Sequence, residues 1–156
     1  MGSRRESCAA DGHSAGANLV SLAAPDPSYA HETGASPWLG TVSLDSAADD
    51  VPAIMRQPHL PLYDPVFGSD EQLWHDSSPT LTVAGRPHPV LLVCSTQRAD
   101  SCQQAHGFAT VLTEHGGRAS VVPTSLRHGA INRELGLPGA PTDAVDGFLG
   151  TLGLPR

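Results

Sequence analysis

Apolar residues in this chain gather into short runs set apart by polar turns rich in proline and glycine. The clearest run is Val90-Leu91-Leu92-Val93-Cys94, five apolar positions in a row, which predicts a strand buried on both faces. Trp38-Leu39-Gly40-Thr41-Val42-Ser43-Leu44 and Ala119-Ser120-Val121-Val122-Pro123 predict two further strands. Between these runs the period becomes helical: Ala105, Phe108, Ala109 and Leu112 recur at i, i+3, i+4 and i+7. Ser101 and Gln104 have the spacing of a capping box ahead of that helix, and Gly116-Gly117 stops it. Ala17 to Ala24 predicts a short apolar helix ended by Pro25-Asp26-Pro27. Ser46 to Met55 predicts another, and Pro141 to Leu152 a final amphipathic one with Ala144, Val145, Phe148, Leu149 and Leu152 on one side. This alternation implies an α/β fold, a parallel sheet of about three to four strands flanked by helices. Residues 56–80, with Pro58, Pro61, Pro65, Gly68 and Pro79, predict an irregular excursion over the sheet edge.

The chain opens differently. Residues 1–11 form a polar lead whose only mild hydrophobes are Cys8, Ala9 and Ala10. Immediately after it stands Gly12-His13-Ser14-Ala15-Gly16, a G-x-S-x-G sequence with the form of a nucleophile elbow. Such a turn holds its serine in a strained conformation, and the flanking glycines let two backbones approach closely. The amide of the next residue, here Ala15, points toward the oxyanion of a tetrahedral intermediate. An elbow is normally fed by a buried strand, and no apolar run precedes Ser14. The expectation is therefore that the helix half is present and the strand half missing or degraded.

Composition narrows the picture. At 156 residues the chain bounds a single domain with room for a core. All nine basic residues are arginine, and the net charge of −7 argues against nucleic acid or an anionic membrane as partner. No run of 18 apolar residues suggests a membrane span, and Glu6 stands where a myristoylation signal needs Ser or Thr. The expected location is cytoplasmic. Three cysteines, Cys8, Cys94 and Cys102, are too few for a disulfide scaffold. Cys94 and Cys102 could meet across a strand-to-helix turn, but two reduced, partly buried thiols are the expectation. His106 and His115 lie nine positions apart on one helix and face opposite ways, so no metal site is expected, and no cofactor.

In open parallel sheets, functional groups collect at the carboxyl ends of strands. Ser14 after the elbow, Asp100 after the second clear strand and His128 after the third fill such places, in the order Ser, Asp, His. Asp100 lies 86 residues beyond Ser14, and His128 a further 28 beyond Asp100, room for one helix and one strand. The chemistry asks for these types: an imidazole to take the serine proton and return it to a leaving group, and a carboxylate to orient that ring. Asp45 also ends a strand and is the alternative acid. His13, beside the serine, reads as a packing or pocket-lining residue, and Tyr63 and Trp74 as packing within the excursion.

The segments His59-Leu60-Pro61-Leu62-Tyr63-Asp64, Leu91 to Ser95 with Asp100-Ser101-Cys102, and His128-Gly129-Ala130-Ile131-Asn132 with Leu135-Gly136 resemble the carboxyl-terminal half of small α/β-hydrolases. Their nearest likeness is the esterase and lipase-like branch that includes kynurenine formamidases. The resemblance implies Ser14 as nucleophile, Asp100 as acid and His128 as base, acting on small carboxylic esters or N-formyl amides. It also implies a departure: in that family several strands and a His-Gly-Gly loop lie ahead of the elbow, and here eleven residues precede Gly12. The expectation is residues 12–156 as the carboxyl-terminal part of a hydrolase domain with its amino-terminal strands missing. An unpaired sheet edge would then invite self-association. An inactive remnant, or a module that needs a partner chain to complete its sheet, is the alternative.

Overall fold

A computed structural model describes residues 7–26, 28, 32, 34–36 and 38–155. Its centre is the strand the apolar run predicts: β3 spans Val90–Ser95 and is buried throughout. Because side chains alternate across a strand, the run feeds two cores. Val90, Leu92 and Cys94 pack with Ala24, Ala105, Phe108 and Leu112 on one face. Leu91 and Val93 pack with Val42, Leu44 and Ile131 on the other, beside Ala144, Val145 and Phe148.

Among the described residues four strands lie in the order in which they occur along the chain, all parallel. β1 is Ala10–His13, β2 Thr41–Leu44 and β4 Ala119–Thr124. Helix α5 (Ser101–Glu114) carries Ala105, Phe108 and Leu112 of the first core, and Ala24, the residue after α1 (Ala15–Ala23), joins them. The short α6 (His128–Arg133) and α7 (Ala140–Thr151) cover the second. The described residues thus form a parallel sheet flanked by helices, and none of their helices is long and apolar enough to cross a membrane.

Several local expectations change. The strand half of the elbow is present, since residues 10–13 pair with 41–44 from Ala10↔Thr41 to His13↔Leu44. β1 is only partly buried and lies at the end of the sheet, so ladder hydrogen bonds to β2 hold it, and no apolar run is needed. The part of the polar lead over residues 1–6 lies outside the described residues. The 56–80 stretch is also not featureless. It folds into 3-10 turns at Pro61–Tyr63 and Pro79–Leu81 and helices α3 (Asp64–Phe67) and α4 (Glu71–Asp76). With α2 (Val51–Met55) these build a third cluster of Ala48, Val51, Ile54, Tyr63 and Phe67. The capping box does not form at α5, whose N-cap is Asp100 without a side-chain cap. The Ser101 hydroxyl instead donates to Asp45, and Gln104 Oε1 accepts the Asp50 N–H at 2.6 Å.

Cys94 and Cys102 are joined in a disulfide with a Cα separation of 5.0 Å, not held as two thiols. The end of β3 faces the first turn of α5, and the intervening loop is short enough to bring both side chains together. Such bonds persist in oxidising surroundings and are rare in a reducing cytosol, a property that runs against the cytoplasmic expectation.

One buried group is costly. Asp49 is 1% exposed, and among the described residues neither carboxyl oxygen has a hydrogen-bond partner. Burial pushes its pKa up from 3.8 to about 6, offset only in part by the nearby Ser46 hydroxyl. Between those values the folded chain binds more protons than the unfolded one, so stability falls as pH rises through that window. The difference corresponds to about 3 kcal/mol above the folded-state pKa. Asp49→Asn should therefore melt several degrees above the wild type at pH 8, with the gap closing at pH 4. Thermal unfolding at both pH values checks this, and a gap that does not depend on pH would refute it.

Candidate active site

Ser14 connects β1 to α1 with φ 58° and ψ −120°, a region that a residue with a Cβ enters only under strain, on the order of 1–3 kcal/mol. The sheet and the helix impose it together. The Ser14 N–H extends the ladder to the Leu44 carbonyl at 3.0 Å, while its own carbonyl accepts from the N–H groups of Ala17 and Asn18 at 3.0 and 3.2 Å. The two elbow glycines are not equivalent. A Cβ on Gly12 would come within 2.2 Å of the Gly16 carbonyl oxygen, whereas one on Gly16 would meet nothing within 4 Å. Close backbone approach therefore explains Gly12 alone. Ala15 occupies the first position of α1, where an amide is not committed to an intrahelical bond.

Ser14 and His128 come together as the sequence predicts, with Oγ 2.9 Å from His128 Nε2. Asp100 does not join them. The carboxylate on the ring is Asp45, whose Oδ2 lies 2.6 Å from His128 Nδ1. One hydrogen-bonding assignment satisfies the line: Nδ1–H donates to Asp45 Oδ2, and Nε2 accepts from the Ser14 hydroxyl. Asp45 directly follows β2, between the strands that precede Ser14 and the 95–100 turn, and its φ of 57° turns it at the strand end. Asp100 sits farther along its loop as the N-cap residue of α5, its carbonyl taking the Gln104 N–H.

The Asp45 side chain is fully buried. Burial alone would raise its pKa, but hydrogen bonds outweigh that and hold it below the ordinary carboxylate value. Oδ1 accepts from the Ser101 hydroxyl and from the Ser95 N–H at 2.8 Å. Oδ2 accepts from His128 and from Arg98 Nη1 at 2.9 Å, and the same Nη1 reaches the Asp45 carbonyl at 3.0 Å. Arg98 Nη1 also lies 3.0 Å from His128 Nδ1. Since that nitrogen's single hydrogen-bonding position is directed at Asp45, the guanidinium acts on the carboxylate. His13 packs at a tilt against the His128 ring, 4.4 Å between centroids, and its Nε2–H donates to the His128 carbonyl at 2.8 Å. It supports the ring, as its packing role predicts. Sequence reading missed Arg98 and Ser101, because nothing in the 95–101 turn marks which side chains point back to β2.

Ser14, His128 and Arg98 open onto a cleft of about 370 Å³. Its walls are otherwise mainly apolar, with Leu19, Leu60, Leu62, Tyr63, Val66 and Phe67. Tyr63 thus lines the cleft as well as packing, and burial raises its phenol pKa. Trp74 packs beside the third cluster and donates to the Phe67 and Gly68 carbonyls. A groove of about 390 Å³ near Asp11, Val42 and Leu149 is not lined by Ser14, His128 or Arg98. Among the described residues no group of three or more His, Cys, Asp or Glu side chains is placed to hold a metal.

No family model matches the chain, and no curated protein does so by sequence. Solved structures do match. A hyperthermophilic esterase from Pyrobaculum calidifontis superposes with a TM-score of 0.64 at 20% identity, over 92% of this chain and 51% of its own. A thermophilic esterase from Thermogutta terrifontis gives 0.65 at 16%, over 95% and 56%. Acylaminoacyl peptidase from Pyrococcus horikoshii gives 0.65 at 16%, over 97% and 24%. The likeness shows an α/β-hydrolase fold, and the chain spans about half the length of the two esterases.

The asymmetry of the elbow is testable. Gly12→Ala should destabilise the chain by about 3 kcal/mol or more, because the contact is with backbone that cannot move aside. Gly16→Ala should be neutral or stabilising by up to about 1 kcal/mol, as expected for a helical glycine in open space. Denaturant unfolding of both variants checks the pair, and equal losses would contradict the geometry.

Proposed function

We propose that the chain carries the catalytic machinery of a serine hydrolase acting on small carboxylic esters or N-formyl amides, with Ser14 as nucleophile, His128 as base and Asp45 as acid. The observation that supports it most is the unbroken line from Ser14 Oγ through both ring nitrogens of His128 to a buried carboxylate. A serine hydroxyl is a poor nucleophile until its proton has a place to go, and this line supplies one. In the proposed reaction Ser14 Oγ attacks the substrate carbonyl carbon while Nε2 takes its proton. Asp45 stabilises the imidazolium that results. The Ala15 N–H, exposed at the start of α1, donates to the developing oxyanion. As the bond to the alcohol or amine breaks, Nε2–H protonates the leaving group and an acyl-Ser14 ester remains. A water deprotonated by His128 then attacks that ester and releases the acid. The apolar walls of the cleft suit an uncharged acyl chain.

A second reading has its own observation. β1 forms the end of the described sheet, and the esterases it resembles are about twice as long. On that reading the chain is a module whose sheet and oxyanion site are completed by further polypeptide.

A fluorophosphonate probe distinguishes them. Under the first reading the folded monomer is labelled and Ser14→Ala is not. Asp45→Asn should then lower kcat for p-nitrophenyl butyrate on the order of 10³–10⁴-fold, while Asp100→Asn stays within about twofold of wild type. No labelling of a folded monomer rejects that reading, and equal losses in the two Asp variants reject Asp45 as the acid.

A further inference from the structure

We infer that the Cys94–Cys102 disulfide is a redox-sensitive clamp that positions the triad acid; this rests on the triad reading above. Apart from His128, the described side-chain and backbone donors to the Asp45 carboxylate are the Ser95 N–H, Arg98 Nη1 and Ser101 Oγ. All three lie within the loop the disulfide closes, whose cysteines are eight positions apart. Two of them adjoin the bond itself. Ser95 follows Cys94 and Ser101 precedes Cys102, and both donate to the same oxygen, Oδ1. The bond therefore fixes the separation between the two groups that hold that oxygen.

The two sides of the loop are anchored unequally. Ser95 belongs to β3 and is tied again through its hydroxyl, which donates to the Leu126 carbonyl at 2.7 Å. Ser101 is the first residue of α5, and its hold on Asp45 depends on where that helix begins. Deeper in α5, Ala105, Phe108 and Leu112 are buried in the first core. Opening the disulfide would free the helix start without unseating the helix. Closing so short a loop removes less chain entropy than closing a long one, and the bond's position bears directly on the Asp45 donors. Cys102 is partly buried against the first core, while Cys94 is buried within it.

Reduction by dithiothreitol is balanced: the protein disulfide gains two electrons and two protons to give two thiols, and the reagent closes to a cyclic disulfide. Oxidised glutathione reverses it. The readout is the low-field proton resonance of His128 Nδ1–H in the full chain labelled with ¹⁵N-histidine. It should be present in the oxidised protein and absent in Asp45→Asn. Reduction should speed its exchange with water by at least about tenfold with circular dichroism unchanged, and re-oxidation should restore it. kcat should fall on the order of tenfold to a hundredfold at constant KM. Ser101→Ala, with the disulfide intact, should show the same resonance change. The Cys94→Ala/Cys102→Ala variant should match the reduced protein and ignore dithiothreitol. A resonance unmoved by reduction, or lost only together with the fold, overturns the clamp and leaves the triad standing. No such resonance in the oxidised chain, or one that survives Asp45→Asn, overturns the triad itself.

Discussion

A carboxylate cut off from water either takes up a proton more readily, as Asp49 does, or has its charge balanced by hydrogen bonds, and the arrangement around Asp45 is the second case. Its side chain is fully buried at the end of β2, where isolation would cost several kcal/mol. The chain answers with donors from four places: the end of β3, Arg98 in the turn after it, the first turn of α5 and the first residue of α6. Each donor fixes the element that carries it. Satisfying one buried charge thus aligns the carboxyl ends of adjacent strands, and the histidine is oriented toward the serine as a result.

The strained serine belongs to the same logic. Its backbone is held on one side by the β2 ladder and on the other by the first turn of α1. A residue in an unfavourable conformation is thus fastened at both ends. Gly12 makes this possible by leaving room for the Gly16 carbonyl.

What the sequence disclosed depended on where a residue's energy comes from. β3 was legible because burial on both faces demands an unbroken apolar run, and Val90 to Cys94 supply one. Ser14 and His128 were legible because their chemical types and places at strand ends are local facts. β1 was hidden, since an end strand can be held by backbone ladder bonds, and Ala-Asp-Gly-His carries no apolar signature. Asp45 and Asp100 both follow strands, and only the path of the intervening loop separates them. Ser101 and Gln104 had the letters of a cap, yet tertiary partners claimed both side chains. Cys94 and Cys102 could be read as able to meet, but whether they are bonded is decided by the approach of β3 to α5.

The third cluster, built from residues of the 48–67 stretch, is separate from the two cores that sandwich the sheet. It nevertheless contributes Tyr63 and Phe67 to the cleft wall, next to Leu60, Leu62 and Val66. Reactive groups and cleft lining are therefore written largely in different parts of the chain and rest on different foundations. Drift in the proline-rich stretch can reshape the cleft while the strand ends that carry Ser14, Asp45 and His128 stay as they are. Under the proposed hydrolase reading, preference for one acyl group over another is a trait this architecture would let evolution alter separately from the chemistry.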